Sequence, residues 1–138
     1  MPGLHVELGC DPAEVPRLLE AVKALVAPLA PAPRALHHTL VAIEEITRNA
    51  ILHGGLAPPA PGPAVTVTLD GDALTCRIVD CGVPFDPFTD TPLLDTASPV
   101  AERPVGGLGV HLVRRLVDAW SYEWQDGRNC TVLRKRLK

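Results

Sequence analysis

The sequence predicts an α+β two-layer sandwich in which three amphipathic helices cover one face of a mostly antiparallel sheet. Period-2 alternation of apolar and polar residues marks an N-terminal strand and two later hairpins. Apolar residues at helical spacing mark three segments between these strands. The element order is therefore β, α, α, β, β, long loop, α, β, β, and strands joined as hairpins pair antiparallel.

Length and composition fit one globular domain spanning residues 1–138. The apolar share is 46%, the charged share is 21% and the formal net charge is −3, which excludes wholesale disorder and a strongly basic nucleic-acid binder. No apolar run reaches the roughly 18–20 residues of a membrane span, and residues 1–10 do not resemble a signal peptide. We expect a soluble, cytoplasmic protein without membrane association, whose four cysteines are reduced.

The first half of the chain predicts one strand and two helices. Alternation predicts a strand over residues 4–9. Asp11, Pro12 and Glu14 have the order typical of a helix N-terminus, and this helix should end before the prolines at 31 and 33. A second helix is predicted from about residue 34 to residue 53, where two glycines end it.

The second half predicts two hairpins and a third helix. The predicted strands are residues 65–69, 74–81, 120–125 and 131–137, with turns at 70–72 and 126–129. Residues 82–105 form a long proline-rich loop, a length typical of a lid, a binding loop or disorder. Glycines at 106, 107 and 109 open the third helix.

The second helix carries Glu45, Asn49 and His53 on one stripe, because they are spaced four residues apart. A carboxylate and an amide on one stripe suit a magnesium site or a general base. A solvated helix face is the simpler interpretation of this stripe taken alone.

Asp80 lies at the inner end of a buried strand face, because Leu74, Cys76 and Ile78 share its side by alternation. An ionised carboxylate there needs partners, and Gly82 allows a close approach to the backbone. A turn aspartate that accepts from local N–H groups remains an equal alternative. The glycines before the third helix suit either a hinge or phosphate capture by exposed N–H groups.

Three motifs in this order carry a family resemblance. They are residues 45–54 (EITRNAILHG), 80–87 (DCGVPFDP) and 106–113 (GGLGVHLV). Together they resemble the Bergerat nucleotide-binding fold of the GHKL ATPase and kinase superfamily, and within it the stand-alone anti-sigma factor serine/threonine protein kinases. The resemblance covers nearly the whole chain.

The resemblance implies a role for each matching residue. Asn49 would coordinate a magnesium ion that bridges the nucleotide phosphates, and Glu45 would act as general base toward a protein hydroxyl. Asp80 would accept from the adenine amino group, so that this buried carboxylate's partner arrives with the ligand. Gly82 would let the ring lie against the backbone, and Thr131 would lie near Asp80 and the adenine.

Further implied roles fall on the long loop and the helix after it. Gly106, Gly107, Leu108 and Gly109 match the phosphate loop, and Arg103 is loosely aligned with an arginine near the terminal phosphate. An ATP lid is expected around residues 87–105.

Two residues depart from the family's pattern. Glu44 adjoins Glu45, so the identity of the acid depends on counting back four positions from Asn49. Glu44 would point about 100° away around the helix. Arg48 replaces a small or apolar residue and would turn to solvent or touch a phosphate.

The leading functional hypothesis is an ATP- and Mg²⁺-dependent kinase. It would phosphorylate a serine or threonine of a STAS-type anti-sigma-factor antagonist and sequester an RNA polymerase sigma factor. The alternative is a non-catalytic switch in which ATP or ADP sets the lid's shape. A homodimer is an expectation because relatives are often dimers.

Two further readings of the sequence are disfavoured. His37 and His38 lie within the second helix and are expected at a surface or interface, not on a phosphoacceptor helix of a histidine kinase. The basic C-terminus fits a strand with one solvated face, without direct nucleic-acid contact.

Overall fold

The computed structural model describes residues 2–53, 61–88 and 107–138. The helices and strands in these ranges follow the predicted order. They are β1 Gly3–Glu7, α1 Val15–Val26, α2 Pro33–His53, β2 Ala64–Asp70, β3 Ala73–Asp80, α3 Gly107–Leu116, β4 Ala119–Gln125 and β5 Arg128–Arg136.

The described strands form a five-stranded sheet in the order β1-β2-β3-β5-β4, and each neighbouring pair is antiparallel. The register places Val67, Cys76 and Leu133 side by side on three adjacent strands. All three side chains are buried, so this row belongs to the inner face of the sheet. Arg134 and Arg136 on the other face are exposed, as the alternation predicted.

The inner face packs against the helices and forms the core. Apolar side chains from all three helices join it, since Leu18 of α1, Ile43 of α2 and Val113 of α3 are at most 1% exposed. Burying such a side chain contributes about 1.5–3 kcal/mol each. The two-layer α+β sandwich with three helices on one face is therefore confirmed.

The N-terminal boundary of α1 differs slightly from the sequence prediction. The Asp11 carboxylate caps the chain by accepting from the Ala13 N–H at 2.9 Å. Residues Pro12–Glu14 then form a 3-10 turn before the α-helix begins at Val15. The Glu14 side chain accepts from the Gly9 N–H at 3.0 Å, which ties this turn back to the end of β1.

The turn between β4 and β5 is shorter than predicted. Gln125 pairs with Arg128, so the turn consists of Asp126 and Gly127 alone. Both residues have positive φ, 55° and 74°, which a two-residue hairpin turn demands and an Asp-Gly pair adopts readily. The prediction that this turn extends through residue 129 is wrong, and β5 begins three residues earlier than expected.

In the described part of the chain, no helix has the length and apolar composition needed to cross a membrane. Pro87 and Phe88, which open the predicted lid, are buried in the body of the domain. Residues 89–105, the remainder of the predicted lid, lie outside the described residues.

Candidate functional site

Helix α2 brings Glu45 and Asn49 together. Asn49 is 3% exposed, and its Nδ2 donates to Glu45 Oε1 at 3.4 Å, the contact expected for residues four apart on a helix. Among the described residues, this is the one hydrogen bond seen for the Asn49 side chain, and it uses the nitrogen of the amide. The His53 backbone completes α2, but its side chain is outside the description.

The neighbouring pair on α2 points elsewhere. Arg48 is exposed and its guanidinium lies 3.9 Å from the Glu44 carboxylate, with both side chains nearly half exposed. Glu44 is therefore engaged with a surface arginine, whereas Glu45 contacts the buried amide of Asn49. The different partners of Glu44 and Glu45 show that these adjacent acids point in different directions, as the angle of about 100° between neighbouring helix positions predicted.

Asp80 ends β3 at the inner face of the sheet and is 6% exposed. Its Oδ1 accepts from Asn129 Nδ2 and from the Gly82 N–H, both at 2.9 Å. Burial raises the pKa of the Asp80 carboxyl above its ordinary value, and these two hydrogen bonds oppose the rise. The Gly82 N–H is the local donor that the alternative interpretation of Asp80 predicted, and the acceptance of the adenine amino group by Asp80 stays a prediction.

Asn129 is the residue that the sequence reasoning missed. It lies directly opposite Asp80 in the β3–β5 ladder and is 3% exposed. Besides Asp80, its Nδ2 donates to the Val83 carbonyl at 2.8 Å, and its Oδ1 accepts from the Phe85 N–H at 2.9 Å. The Tyr122 hydroxyl also donates to Oδ1.

The orientation of the Asn129 amide is fixed by its partners. The Val83 carbonyl can only accept and the Phe85 N–H can only donate, so the nitrogen and oxygen of the amide cannot be exchanged. Asn129 thus connects β3, the segment after it and β4. A two-residue reading of the Asp126-Gly127 turn would have revealed this position, because alternation then places Asn129 beside Thr131 on the inner face.

These side chains line one cavity between α2 and the sheet. Its walls are Ile46, Asn49, Ala50, Ile78, Asp80, Phe85, Pro87, Asn129 and Thr131. Apolar side chains on two sides face a polar end, the pattern typical of small-molecule sites. The cavity has room for little more than one water molecule, about 20 Å³. A planar base therefore needs a wider cavity than this structure has.

The predicted site residues within the described ranges fall into three groups. Asn49, Asp80 and Thr131 line the cavity, and Glu45 contacts Asn49. Gly82 is buried beside Asp80. Gly107, Leu108 and Gly109 form the start of α3, although their side chains are not described.

Two predicted site residues, Arg103 and Gly106, lie outside the described residues. Within the described ranges, no three His, Cys, Asp or Glu side chains are grouped as a metal site. A divalent cation at Asn49 would therefore need most of its ligands from a bound phosphate and water, as Mg²⁺ commonly does.

Comparisons with known proteins identify a family for this sequence and similar solved folds. The family model described as the histidine kinase-like ATPase domain matches residues 9–135. A search among curated proteins finds no match. Among solved structures, the RsbU and RsbW domains of Rv1364c from Mycobacterium tuberculosis align with a TM-score of 0.71 and 19% identity, over 99% of this chain and 33% of that one.

A second solved structure, the SiaB–SiaC complex from Pseudomonas aeruginosa, aligns with a TM-score of 0.60 and 17% identity, over 96% of this chain and 88% of that one. At these identities both likenesses concern the fold. The chain spans one third of the Rv1364c chain that it matches. Because the family model covers nearly the whole sequence, the chain belongs to the histidine kinase-like ATPase domain family, the superfamily that its three motifs resemble.

Proposed function

We propose that this protein is an ATP-dependent protein kinase that phosphorylates a serine or threonine of a regulatory partner. The observation that carries the proposal is the polar end of the cavity, where Asp80 has one oxygen held by the protein. Its other oxygen has no hydrogen-bond partner among the described residues. That oxygen is free to accept from the exocyclic amino group of adenine.

The apolar walls support binding of a flat base. Ile46 of α2 and Ile78 of β3 line the cavity from opposite layers, and apolar surfaces on both sides of a ring favour its burial. Thr131 lines the same cavity and is 4% exposed. Its hydroxyl supplies a second polar group at the base end.

Asn49 and the start of α3 would hold the triphosphate. Asn49 Oδ1 suits Mg²⁺, and the ion would supply charge neutralisation across the phosphates when bound. The first N–H groups of α3 have no partner within that helix, and its dipole favours an anion at this end. The glycines at 107 and 109 reduce crowding there.

Glu45 is the proposed general base. Its carboxylate would accept the proton of the partner's hydroxyl while that oxygen attacks the terminal phosphorus of ATP. The bond between this phosphorus and the bridging oxygen then breaks, giving ADP and the phosphorylated partner. The amide of Asn49, which donates to Glu45 Oε1 at 3.4 Å, would keep the base beside the metal site.

We propose a STAS-type anti-sigma-factor antagonist as phosphoacceptor and an RNA polymerase sigma factor as the sequestered partner. The likeness in fold to an RsbW domain and to SiaB, which was solved in complex with the protein SiaC, supports a protein partner for this fold. A sigma factor is itself a protein, so this role requires no contact with nucleic acid.

One observation favours a second function, a non-catalytic switch that responds to ATP or ADP. The cavity is too small for a base as it stands, so nucleotide binding would have to displace part of its lining, such as Phe85 and Pro87 in the segment after β3. Such a displacement alters the surface next to the site without any phosphate transfer. Binding would use Asn49 and Asp80, and Glu45 would not be needed as a base.

Calorimetric titration and labelled-phosphate transfer separate these functions. Wild type should bind ATP in a magnesium-dependent manner, and Asp80→Asn should lose that binding, whereas the exposed Asp70→Asn control should retain it. Glu45→Gln should bind ATP but transfer no phosphate to a co-purified partner. The neighbouring Glu44→Gln should do both. Transfer that survives in Glu45→Gln would favour another base, and binding without transfer in wild type would favour the switch.

A further inference from the structure

A second cavity lies at the far end of α2 from the nucleotide site. It has a volume of about 480 Å³ and is bordered by the first turns of α2, the end of α3 and the last residues of β5. His38 at its wall and Asn49 at the candidate site are eleven positions apart on α2, a separation of about 16 Å along the helix axis. The two cavities are therefore distinct.

Backbone hydrogen bonds hold the three bordering elements together. The Ala32 N–H donates to the Leu137 carbonyl at 2.8 Å, which ties the start of α2 to the end of β5. The Asp118 N–H donates to the Arg134 carbonyl at 2.9 Å, which ties the segment after α3 to the same strand. The cavity is thus a preformed feature of the fold.

Basic residues make up most of the lining of this cavity, which we call the basic cavity. They are Arg34, His38, Arg115, Lys135, Arg136 and Lys138. The five that are Arg or Lys make up five of the 13 in a chain whose net charge is −3. Positive charge is therefore concentrated at this corner of a protein whose net charge is negative.

Within the described ranges, these cationic groups form no ion pair with a carboxylate. None of the ion pairs within residues 2–53, 61–88 and 107–138 includes Arg34, Arg115 or the basic residues of β5 and the C-terminus. Among the described side chains that line the cavity, Asp118 carries the only carboxylate, and it accepts from the Arg136 backbone N–H at 2.6 Å. The positive charges are left for an external partner to neutralise.

The pKa of His38 reflects its burial and the positive charges around it in the basic cavity. Partial burial lowers the pKa of its imidazole, and the charges of Lys135, Arg34 and His37 lower it further. From the other elements, Arg115 and Lys138 also line the cavity, Arg136 borders it next to Lys135, and Asp118 is the opposing charge. An anion bound here would reverse this shift and raise the pKa of His38.

We propose that the basic cavity docks an acidic, carboxylate-rich segment of a protein partner. Its exposed basic rim surrounds a small-residue wall of Ala32 and Ala35, which leaves room for side chains to enter. A nucleic-acid surface would need an extended basic stripe, because affinity for phosphate backbones grows with the number of phosphates contacted. This cluster is confined to one concavity on an acidic protein. The inference goes beyond the nucleotide-dependent function and does not depend on it.

Fluorescence anisotropy with labelled deca-glutamate tests the proposal. Wild type should bind it with an affinity that falls as salt increases. The double variant Arg34→Glu/Lys135→Glu should bind at least about tenfold more weakly, since two attractive contacts become repulsive. The control Arg77→Glu/Arg128→Glu makes the same net-charge change on the outer sheet face, where a different cavity lies, and should bind within about twofold of wild type. Circular dichroism and urea unfolding verify that each variant is folded.

An NMR titration supplies a readout located at the cavity. Adding unlabelled deca-glutamate should raise the pKa of His38, while His5 on the outer sheet face should not respond. Equal loss of binding in both double variants would overturn the proposal, because it would indicate net charge alone. Tighter binding of duplex DNA than of deca-glutamate, or full displacement of the peptide by equimolar inorganic phosphate, would also overturn it.

Discussion

Replacing Asn129 by alanine tests the network that holds Asp80 in place. The substitution removes an amide that makes four hydrogen bonds, to Asp80, Val83, Phe85 and Tyr122. The side chain is 3% exposed, so water cannot freely replace every lost partner. Both the stability of the fold and the geometry of the nucleotide site should therefore respond.

The number of hydrogen bonds sets the expected loss. Each contributes about 1 kcal/mol net, and water can reach Val83, which is exposed. Asn129→Ala should therefore lower the free energy of unfolding by about 3 kcal/mol. Tyr122→Phe removes one of the four bonds and keeps the ring, and it should cost about 1 kcal/mol.

Asn129→Asp keeps the shape and separates packing from electrostatics. Its oxygen can still accept from Phe85 and Tyr122, but a second carboxylate now lies where Nδ2 is 2.9 Å from Asp80 Oδ1. Like charges at this distance raise the pKa of the pair. The variant should be less destabilised at pH 5 than at pH 7. Asn129→Ala should show the same trend more weakly, because it also removes a hydrogen bond that lowers the pKa of Asp80 but adds no second carboxylate.

Urea unfolding at both pH values, followed by circular dichroism, measures these differences. ATP titration of each variant then reports on the site. Equal destabilisation by Asn129→Ala and Tyr122→Phe would refute the reasoning, since the network would then contribute no more than a single bond. Unchanged ATP affinity in Asn129→Ala would refute the positioning of Asp80 by this amide.

Three other results are expected. Burial raises the pKa of Asp80 above its unfolded value, so ionisation of this carboxyl costs stability as the pH rises through the folded pKa. Asp80→Asn should therefore be at least as stable as wild type in urea at pH 7, and the difference should shrink in acid. A clear loss of stability at pH 7 would contradict this. Thiol labelling should modify the exposed Cys81 first and Cys76 only on unfolding, because burial raises the pKa of the Cys76 thiol to about 12. Rapid labelling of Cys76 in the folded protein would contradict its burial. Phe88→Ala should lower the free energy of unfolding by about 3 kcal/mol in the same urea assay, because the ring is 2% exposed and stacks on Trp120. A change below about 1 kcal/mol would indicate that the ring packs loosely.

Local periodicity was enough to predict the layers and the positions of several candidate site residues. The apolar spacing of α2 predicted the shared stripe of Glu45 and Asn49, and alternation in β3 predicted that Asp80 faces inward; both are confirmed as positions. Their chemical roles remain predictions. These features depend on residues close together in the chain, where helix and strand geometry decide the outcome.

What could not be predicted depends on turn length and on distant pairing. The Asn129 position shifted to the inner face only because two residues with positive φ closed the hairpin. The basic cavity could not be predicted because Arg34 and Lys135, which both line it, lie about a hundred residues apart in the sequence. The basic C-terminus was read as a strand with a solvated face, which holds for Arg134 and Arg136, but Lys135 points to the other side.

The aromatic contact between Phe88 and Trp120 gives this protein an optical reporter. The chain has two tryptophans, and both are on β4: Trp120 stacks on Phe88 at 4.5 Å under the Arg114 guanidinium, and Trp124 is 45% exposed. Replacing Trp124 by phenylalanine would leave emission from Trp120 alone. Because Phe88 follows Pro87 directly, a displacement of this segment on nucleotide binding should shift the emission wavelength of Trp120, without a label and in real time.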